Sequence, residues 1–363
     1  MKTVGGMIYA NGRLFRGFVE FDGGIIHDVQ EGNPPDYCTA RGLVIPLLAN
    51  CHSHVGDACL RGRLDPNATI DELVRPPDSF KHRALAECED AVVSDSIGSA
   101  IEEMRSYGTR QFIDFRESGI RGVRQLKSAT NIHQFPECTI LSRPAELSYD
   151  EDEVEQLLLE SDGIGISSVS DWPADDLQAL AGHVTGKGRI FALHASEAER
   201  EEIDRVLQLK PSFLVHMSSA TEEDLVACAK ENLPVVICPR SNLRFGIKID
   251  VSKMLDSGVE LCLGTDNAMF HSLSMLDEMR AIYTNRHNSR SVTPQEILKL
   301  AVENSQKVLR DKTMISISPG NRCEFMVVTV GSDDSPRAVL DSSSKSVVAL
   351  IAHGREIWRD TIG

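Results

Sequence analysis

From Leu43 onward the chain repeats one unit, a short apolar run followed by a longer stretch in which apolar residues recur with helical spacing. Eight such runs can be counted: Leu43 to His52, Arg110 to Glu117, Cys138 to Pro144, Gly163 to Val169, Arg189 to Ala195, Ser212 to Met217, Val235 to Asn242 and Glu260 to Asp266. Between them, segments such as Arg83 to Tyr107, Glu151 to Glu160, Ala174 to Val184, Ala198 to Leu209 and Glu222 to Glu231 fit crossover helices, several with acidic residues near the start. A parallel strand covered by helices on both faces reads as an unbroken apolar run. Eight βα units in succession therefore predict a closed (β/α)8 TIM-like barrel, with an open doubly wound sheet as the alternative.

The two ends of the chain have a different texture. Residues 1 to 40 alternate apolar and polar positions between glycines, and alternation returns in Cys323 to Val328 and Ser346 to Trp358, after a helix predicted from Thr293-Pro294-Gln295-Glu296 to about Leu309. Neither end has enough strands for a stable sheet alone. Together, residues 1–42 and 312–363 are expected to form one small β-sandwich lobe, leaving 43–311 as the barrel. Arg63 to Lys81, with Pro66, Pro76 and Pro77, is long for a βα connection and suggests a lid.

Histidines fall at the ends of the runs. His52 and His54 close the first, and a strand period of two puts both imidazoles on one side. His194 closes the fifth, His216 the sixth and Asp266 the eighth. One histidine at a strand end is more often a packed or solvent-facing residue than a ligand. In a (β/α)8 barrel, however, all strand C-termini meet at one face, so these residues are expected to converge on one metal site. Neutral imidazoles and a carboxylate suit zinc, which as a catalytic ion keeps a position for water and lowers its pKa to about 7.

Charge narrows the partners. With 54 Asp+Glu against 38 Lys+Arg the formal net charge is -16, which repels nucleic-acid and anionic membrane surfaces, so a small-molecule substrate is expected, with self-association into a homo-oligomer left open. No stretch approaches the roughly 20 apolar residues of a membrane span. Nine cysteines without a Cys-x-x-Cys pair, and no apolar run behind a basic start, predict reduced thiols in a cytoplasm.

Taken in order, Asn50-Cys51-His52-Ser53-His54 with Leu60-Arg61-Gly62, His194-Ala195-Ser196-Glu197, Val215-His216, Cys238-Pro239-Arg240-Ser241-Asn242 and Gly264-Thr265-Asp266-Asn267 resemble the amidohydrolase superfamily. The resemblance is to the branch containing cytosine, adenosine-type and S-adenosylhomocysteine deaminases and the triazine chlorohydrolases. Ser318-Pro319-Gly320 before Cys323 extends it into the C-terminal β region. It implies a divalent metal, zinc first and iron second, held by His52, His54, His194 and Asp266. It also implies a catalytic set of Glu197, His216 and Asp266, in which Glu197 carries a proton from the attacking water to the leaving nitrogen and His216 orients the water or polarises the substrate. Alone, Glu197 would read as an ordinary acid in a first helical turn.

Binuclear members of that superfamily commonly bridge two metals with a carboxylated lysine. Residues 128 to 186 contain no lysine, so one metal is expected, with Glu146 the only substitute in view. Arg116, Arg143 and Arg240 also fall at strand ends and Lys81 at the end of the lid, so an anionic substrate group is expected, against the plainer reading that each arginine pairs with a neighbour such as Glu117 or Asp114. Hydrolysis of an aminated heterocycle is the leading reading. Amide or halide hydrolysis at the same site is the alternative, and a non-catalytic scaffold of the same fold is the alternative of another kind.

Overall fold

The computed structural model describes residues 1–309, 315–329, 347–352 and 355–359. The first four strands are β1 (Lys2–Ala10), β2 (Arg13–Asp22), β3 (Ile25–Glu31) and β4 (Ala40–Pro46). Strands β5 (Leu48–His54), β6 (Thr109–Arg116), β7 (Glu137–Ser142), β8 (Gly163–Ile166), β9 (Ile190–Ala195), β10 (Phe213–His216), β11 (Val235–Ile237), β12 (Leu261–Leu263) and β13 (Asp266–Asn267) make a second group. The last three are β14 (Phe325–Val328), β15 (Val347–Ala352) and β16 (Arg355–Arg359).

The second group pairs in parallel in the order β12-β11-β10-β9-β8-β7-β6-β5-β13. Its two edges are one stretch of chain interrupted by Gly264-Thr265. On one side β12 pairs with β11, Leu261 opposite Val235, and on the other β13 pairs with β5, Asp266 opposite Ser53. The sheet therefore closes on itself as a TIM-like barrel of eight strand positions, corresponding to the eight expected runs. Every residue of β5 and β6 is buried, as strands covered on both faces must be.

The seven strands from the chain ends form one further sheet, ordered β16-β15-β14-β4-β1-β2-β3. Flat, the three strand spacings between β2 and β14 would separate them by about 14 Å. The rings of Phe21 and Phe325 nonetheless meet edge to face at 5.3 Å, so the sheet folds over a core of its own that includes Val19, Ile26, Val44 and Val327.

Several expectations about boundaries are corrected. The first apolar run belongs to both sheets, because β4 pairs with β1 and β14 in the terminal sheet while β5 starts the barrel at Leu48. The expected division at 42/43 falls inside β4, where burial on both sides of Pro46 leaves no change of pattern to mark the crossing. The division at 311/312 lies outside the described residues. The lid segment is not a plain loop. It contains helix α1 (Ile70–Val74), begun by a capping box between Thr69 and Glu72, and leads into α2 (Phe80–Glu87). The single helix expected from Arg83 to Tyr107 is broken at Cys88-Glu89, and α3 (Asp90–Ser106) covers the barrel beyond it. Ala198 to Leu209 is helical only from Ile203, and the helix begun by Pro294 ends at Val302 before a tighter turn over Asn304–Lys307. Among the described residues, no helix is long and apolar enough to cross a membrane.

Candidate metal centre

Strand geometry brings the expected residues together. His52 and His54, two residues apart on β5, place their rings 4.8 Å apart, and both Nε2 atoms face Asp266 Oδ1, at 3.3 and 3.5 Å. His194 near the end of β9 comes to 3.2 Å between its Nε2 and that of His52. One ligand atom from each of His52, His194, His216 and Asp266 lies within 4.8 Å of every other. His216 and Asp266 have φ of 76° and 62°, a left-handed backbone that costs free energy at a non-glycine residue and is found where a strand end must aim a side chain. Gly264 is required for another reason. A Cβ there would stand 2.7 Å from His52 Cβ and 2.8 Å from His52 N, so only glycine lets the eighth run lie against the first.

The donor set fits a cation. His194 Nδ1 faces the Ile166 carbonyl at 2.8 Å, and His54 Nδ1 faces the Phe115 carbonyl at 3.0 Å and Glu117 Oε1 at 2.9 Å. A nitrogen facing those acceptors must carry hydrogen, which leaves the Nε2 lone pair of both rings directed into the cluster. Two lone pairs and a carboxylate pointed at one small volume repel unless something positive lies between them. Burial also keeps the rings neutral, as metal ligands must be: it lowers His54 to about 4, with Lys81 adding to the effect, lowers His216 to about 3, and holds His194 well below the usual range. Burial alone would raise the Asp266 carboxyl, but the hydrogen bond with His52 and the neighbouring imidazoles of His216 and His54 hold it well below the ordinary value. Ser241 donates to Asp266 Oδ2 at 2.5 Å and Asn267 donates to Oδ1 at 2.8 Å, fixing the carboxylate plane.

A cavity of about 280 Å³ opens onto the cluster and is lined by His54, His194, His216, Asp266 and Glu197, with Ile70, Val74 and Pro76 of the lid segment across from them. Glu197 does not begin a helix, so the bland reading of an acid in a first turn falls away. It sits in the loop after β9, held by Ser219 donating to its carbonyl at 2.9 Å and by the pairing of Ser196 and Glu201 beside it. Its Oε1 is 3.5 Å from His216 Nε2. Burial, then the negative charges of Asp266 and Asp71, push its carboxyl well above the usual range, as suits a group that holds and passes a proton.

The expected cations separate into two pairs. Arg143 and Lys81 line the cavity, whereas Arg116 and Arg240 are not among its lining residues. Arg116 is 1% exposed, lies against Gly56, and donates from Nε to the Glu117 carbonyl at 3.2 Å. Arg240 turns to the Ser272 carbonyl at 3.0 Å and to Glu278 at 3.7 Å. Lys81 is on α2 rather than on a free loop, 2% exposed, and is tied to Glu117, Asp57 and Asn267. Glu146 is exposed and outside the cavity. Glu117 is the lining residue that sequence reasoning passed over as a mere partner for Arg116. Its only signal was its place directly after a strand-end residue.

A barrel that gathers imidazoles and a carboxylate at the C-terminal ends of its strands, around a cavity of this size, defines a metal-dependent hydrolase. Residues 43–357 match the amidohydrolase family, and the chain belongs to it. An uncharacterized protein of Methanocaldococcus jannaschii is 32% identical over 335 residues, 87% of this chain and 86% of that one. A 5-methylthioadenosine/S-adenosylhomocysteine deaminase of Bacillus cereus is 24% identical over 351 residues, 86% of this chain and 79% of that one. Among solved structures, atrazine chlorohydrolase from Arthrobacter aurescens, complexed with zinc, superposes with a TM-score of 0.77 over 100% of this chain and 97% of that one, at 13% identity.

Proposed function

We propose that the protein is a zinc-dependent deaminase of a small aminated heterocycle or cyclic amidine that carries an anionic group. His52, His54, His194 and Asp266 would hold one metal ion. Zinc bound there would supply Lewis acidity and make water nucleophilic near neutral pH. Glu197 would take the proton from the attacking water and deliver it to the departing nitrogen, so that ammonia leaves neutral. His216, buried beside it, would hold that water or the substrate's ring nitrogen in line. Arg143 is the cation available to an anionic substituent: its Nη2 meets neutral His82 Nε2 at 2.8 Å, and among the described residues no carboxylate is paired with it.

The observation that carries this reading is the Glu197 carboxyl, kept at raised pKa 3.5 Å from His216 on the wall of the cavity. Similarity to a deaminase over most of the chain favours nitrogen as the leaving atom, while the likeness to the chlorohydrolase bears on the fold alone. The test is a library of aminated heterocycles and cyclic amidines assayed for ammonia release by the zinc-loaded protein. At least one member should turn over, and Glu197→Gln should retain the metal while losing roughly 10²–10⁴-fold in kcat. Halide or acyl hydrolysis without ammonia would move the protein to the alternative chemistry. A folded protein that takes up no metal would make it a scaffold.

A further inference from the structure

Three charged side chains beside the candidate metal centre, two of them on the cavity wall, have no part in the hydrolytic scheme. Asp57, Lys81 and Glu117 are 0%, 2% and 3% exposed, and burying them costs free energy that a surface location would avoid. Their connections run to the ligands. Glu117 Oε1 accepts from His54 Nδ1 at 2.9 Å and is in close contact with Lys81 Nζ. Lys81 Nζ donates also to Asn267 Oδ1 at 3.0 Å, and Asn267 Nδ2 donates in turn to Asp266 Oδ1 at 2.8 Å. Asp57 Oδ2 faces the same ammonium at 3.5 Å, while its Oδ1 accepts from the Met269 backbone at 3.0 Å. One ammonium thus stands behind two ligands, reaching His54 through a carboxylate and Asp266 through an amide.

Lys81 is carried by α2, which the lid segment delivers to the barrel, and the next residue, His82, meets Arg143. We infer that Lys81 is a positioning residue for the metal centre, acting through Glu117 on His54 and through Asn267 on Asp266, so that docking of the lid helix and binding of the metal are thermodynamically linked. The physics is that of outer-shell partners in general: an anionic acceptor on the far nitrogen fixes the ring and makes the ligating nitrogen more basic. Here the nearer counter-charge of that acceptor comes from a lid element, while Arg116 of the barrel stands farther off, at 3.9 Å. Linkage requires that whatever favours the docked helix favours the metal, and the reverse. The inference rests on the metal-centre reading.

The test uses the full chain and zinc ion. Zinc affinity, measured by competition with a chromophoric chelator, should fall roughly 10–100-fold in Lys81→Met and in Glu117→Gln. The visible absorption bands of the cobalt(II)-loaded protein should change in both, and Lys81→Arg should recover part of the affinity. In the unmutated protein, zinc should slow tryptic cleavage within residues 61–83, and Lys81→Met should abolish that protection. Unchanged zinc affinity and cobalt spectra in the folded variants would reduce the cluster to a structural ion pair and overturn the inference. So would cleavage of the unmutated lid at equal rates with and without zinc, a result that needs no variant to fold. An unmutated protein that binds no zinc would instead remove the metal-centre reading itself.

Discussion

The histidines of the barrel strands and the arginines at or just past strand ends, Arg240 already in the first turn of the helix Pro239–Arg244, start on one face of the barrel and finish in different places. His52, His194 and His216 reach one point with Asp266, and His54 lies beside it with its Nε2 3.5 Å from Asp266 Oδ1, whereas Arg116 turns back to the carbonyl of its own neighbour, Arg240 leans to the 270s, and of the three arginines only Arg143 borders the cavity. The difference is one of reach. An imidazole hangs from a single methylene with two rotatable bonds, so the strand's position and twist dictate where its nitrogen lies. A guanidinium at the end of a long flexible stem goes to whichever acceptor satisfies its donors within several ångströms of its Cα. Short side chains on a rigid frame report the frame, and long ones report their neighbours.

The sharpest way to break this contrast is at the short side chains. His52→Ala or Asp266→Ala should abolish metal content and turnover together, read by elemental analysis and by assay, while circular dichroism stays native because the barrel core rather than the metal holds the fold. Unfolding of the chelated protein would instead make the metal structural. A smaller effect divides the arginines. Arg143→Met should raise KM for anionic substrates about 10–100-fold and leave neutral analogues little changed, as loss of a charge-assisted hydrogen bond requires. Arg240→Met should leave KM unaltered for both classes, and an equal KM penalty in the two variants would erase the distinction.

The smallest effect concerns what Arg240 leaves behind. Burial pushes the Glu278 carboxyl up to about 8, partly offset by the charge of Arg240 and the hydrogen bond from its backbone N–H. Between the ordinary carboxylate range and about 8, the folded state therefore holds more protons than the unfolded state, and stability should decline as pH rises through that window. Glu278→Gln should flatten the decline, measured as the difference in denaturation midpoint between pH 5 and pH 8. A parallel decline in both proteins would locate the titrating group elsewhere.

The same distinction governs how far the sequence could be read. The barrel was visible because each buried strand is a bounded apolar run, and the histidine cluster was visible because a strand period of two and a common C-terminal face leave little freedom. The crossing from β4 to β5 was hidden, since Val44, Ile45, Leu47 and Leu48 are all buried and nothing in the pattern changes at Pro46. Lys81 read as a cation for the substrate at the end of a loop, because the helix that buries it follows three prolines and a one-turn helix, and its ties to Glu117 and Asn267 come from tertiary structure. Glu117 read as a partner for Arg116, which it is at 3.9 Å, but its nearer contacts are to His54 and Lys81, residues brought to it by tertiary structure alone.

The double use of the eighth run has a consequence for the order in which this molecule comes into being. Asn50 and Thr265, hydrogen-bonded at 2.7 Å across the seam where the ring closes, are 215 residues apart, and the next residue is Asp266. Closing a loop of that length is among the slower steps available to a chain. The carboxylate that completes the histidine cluster is thus delivered by the very contact that shuts the barrel. Until the ribosome has passed residue 267 the cluster cannot be complete, and a nascent chain stalled before it would offer its histidines without their anion. Uptake of the ion by a growing chain would then mark the moment at which the ring becomes whole.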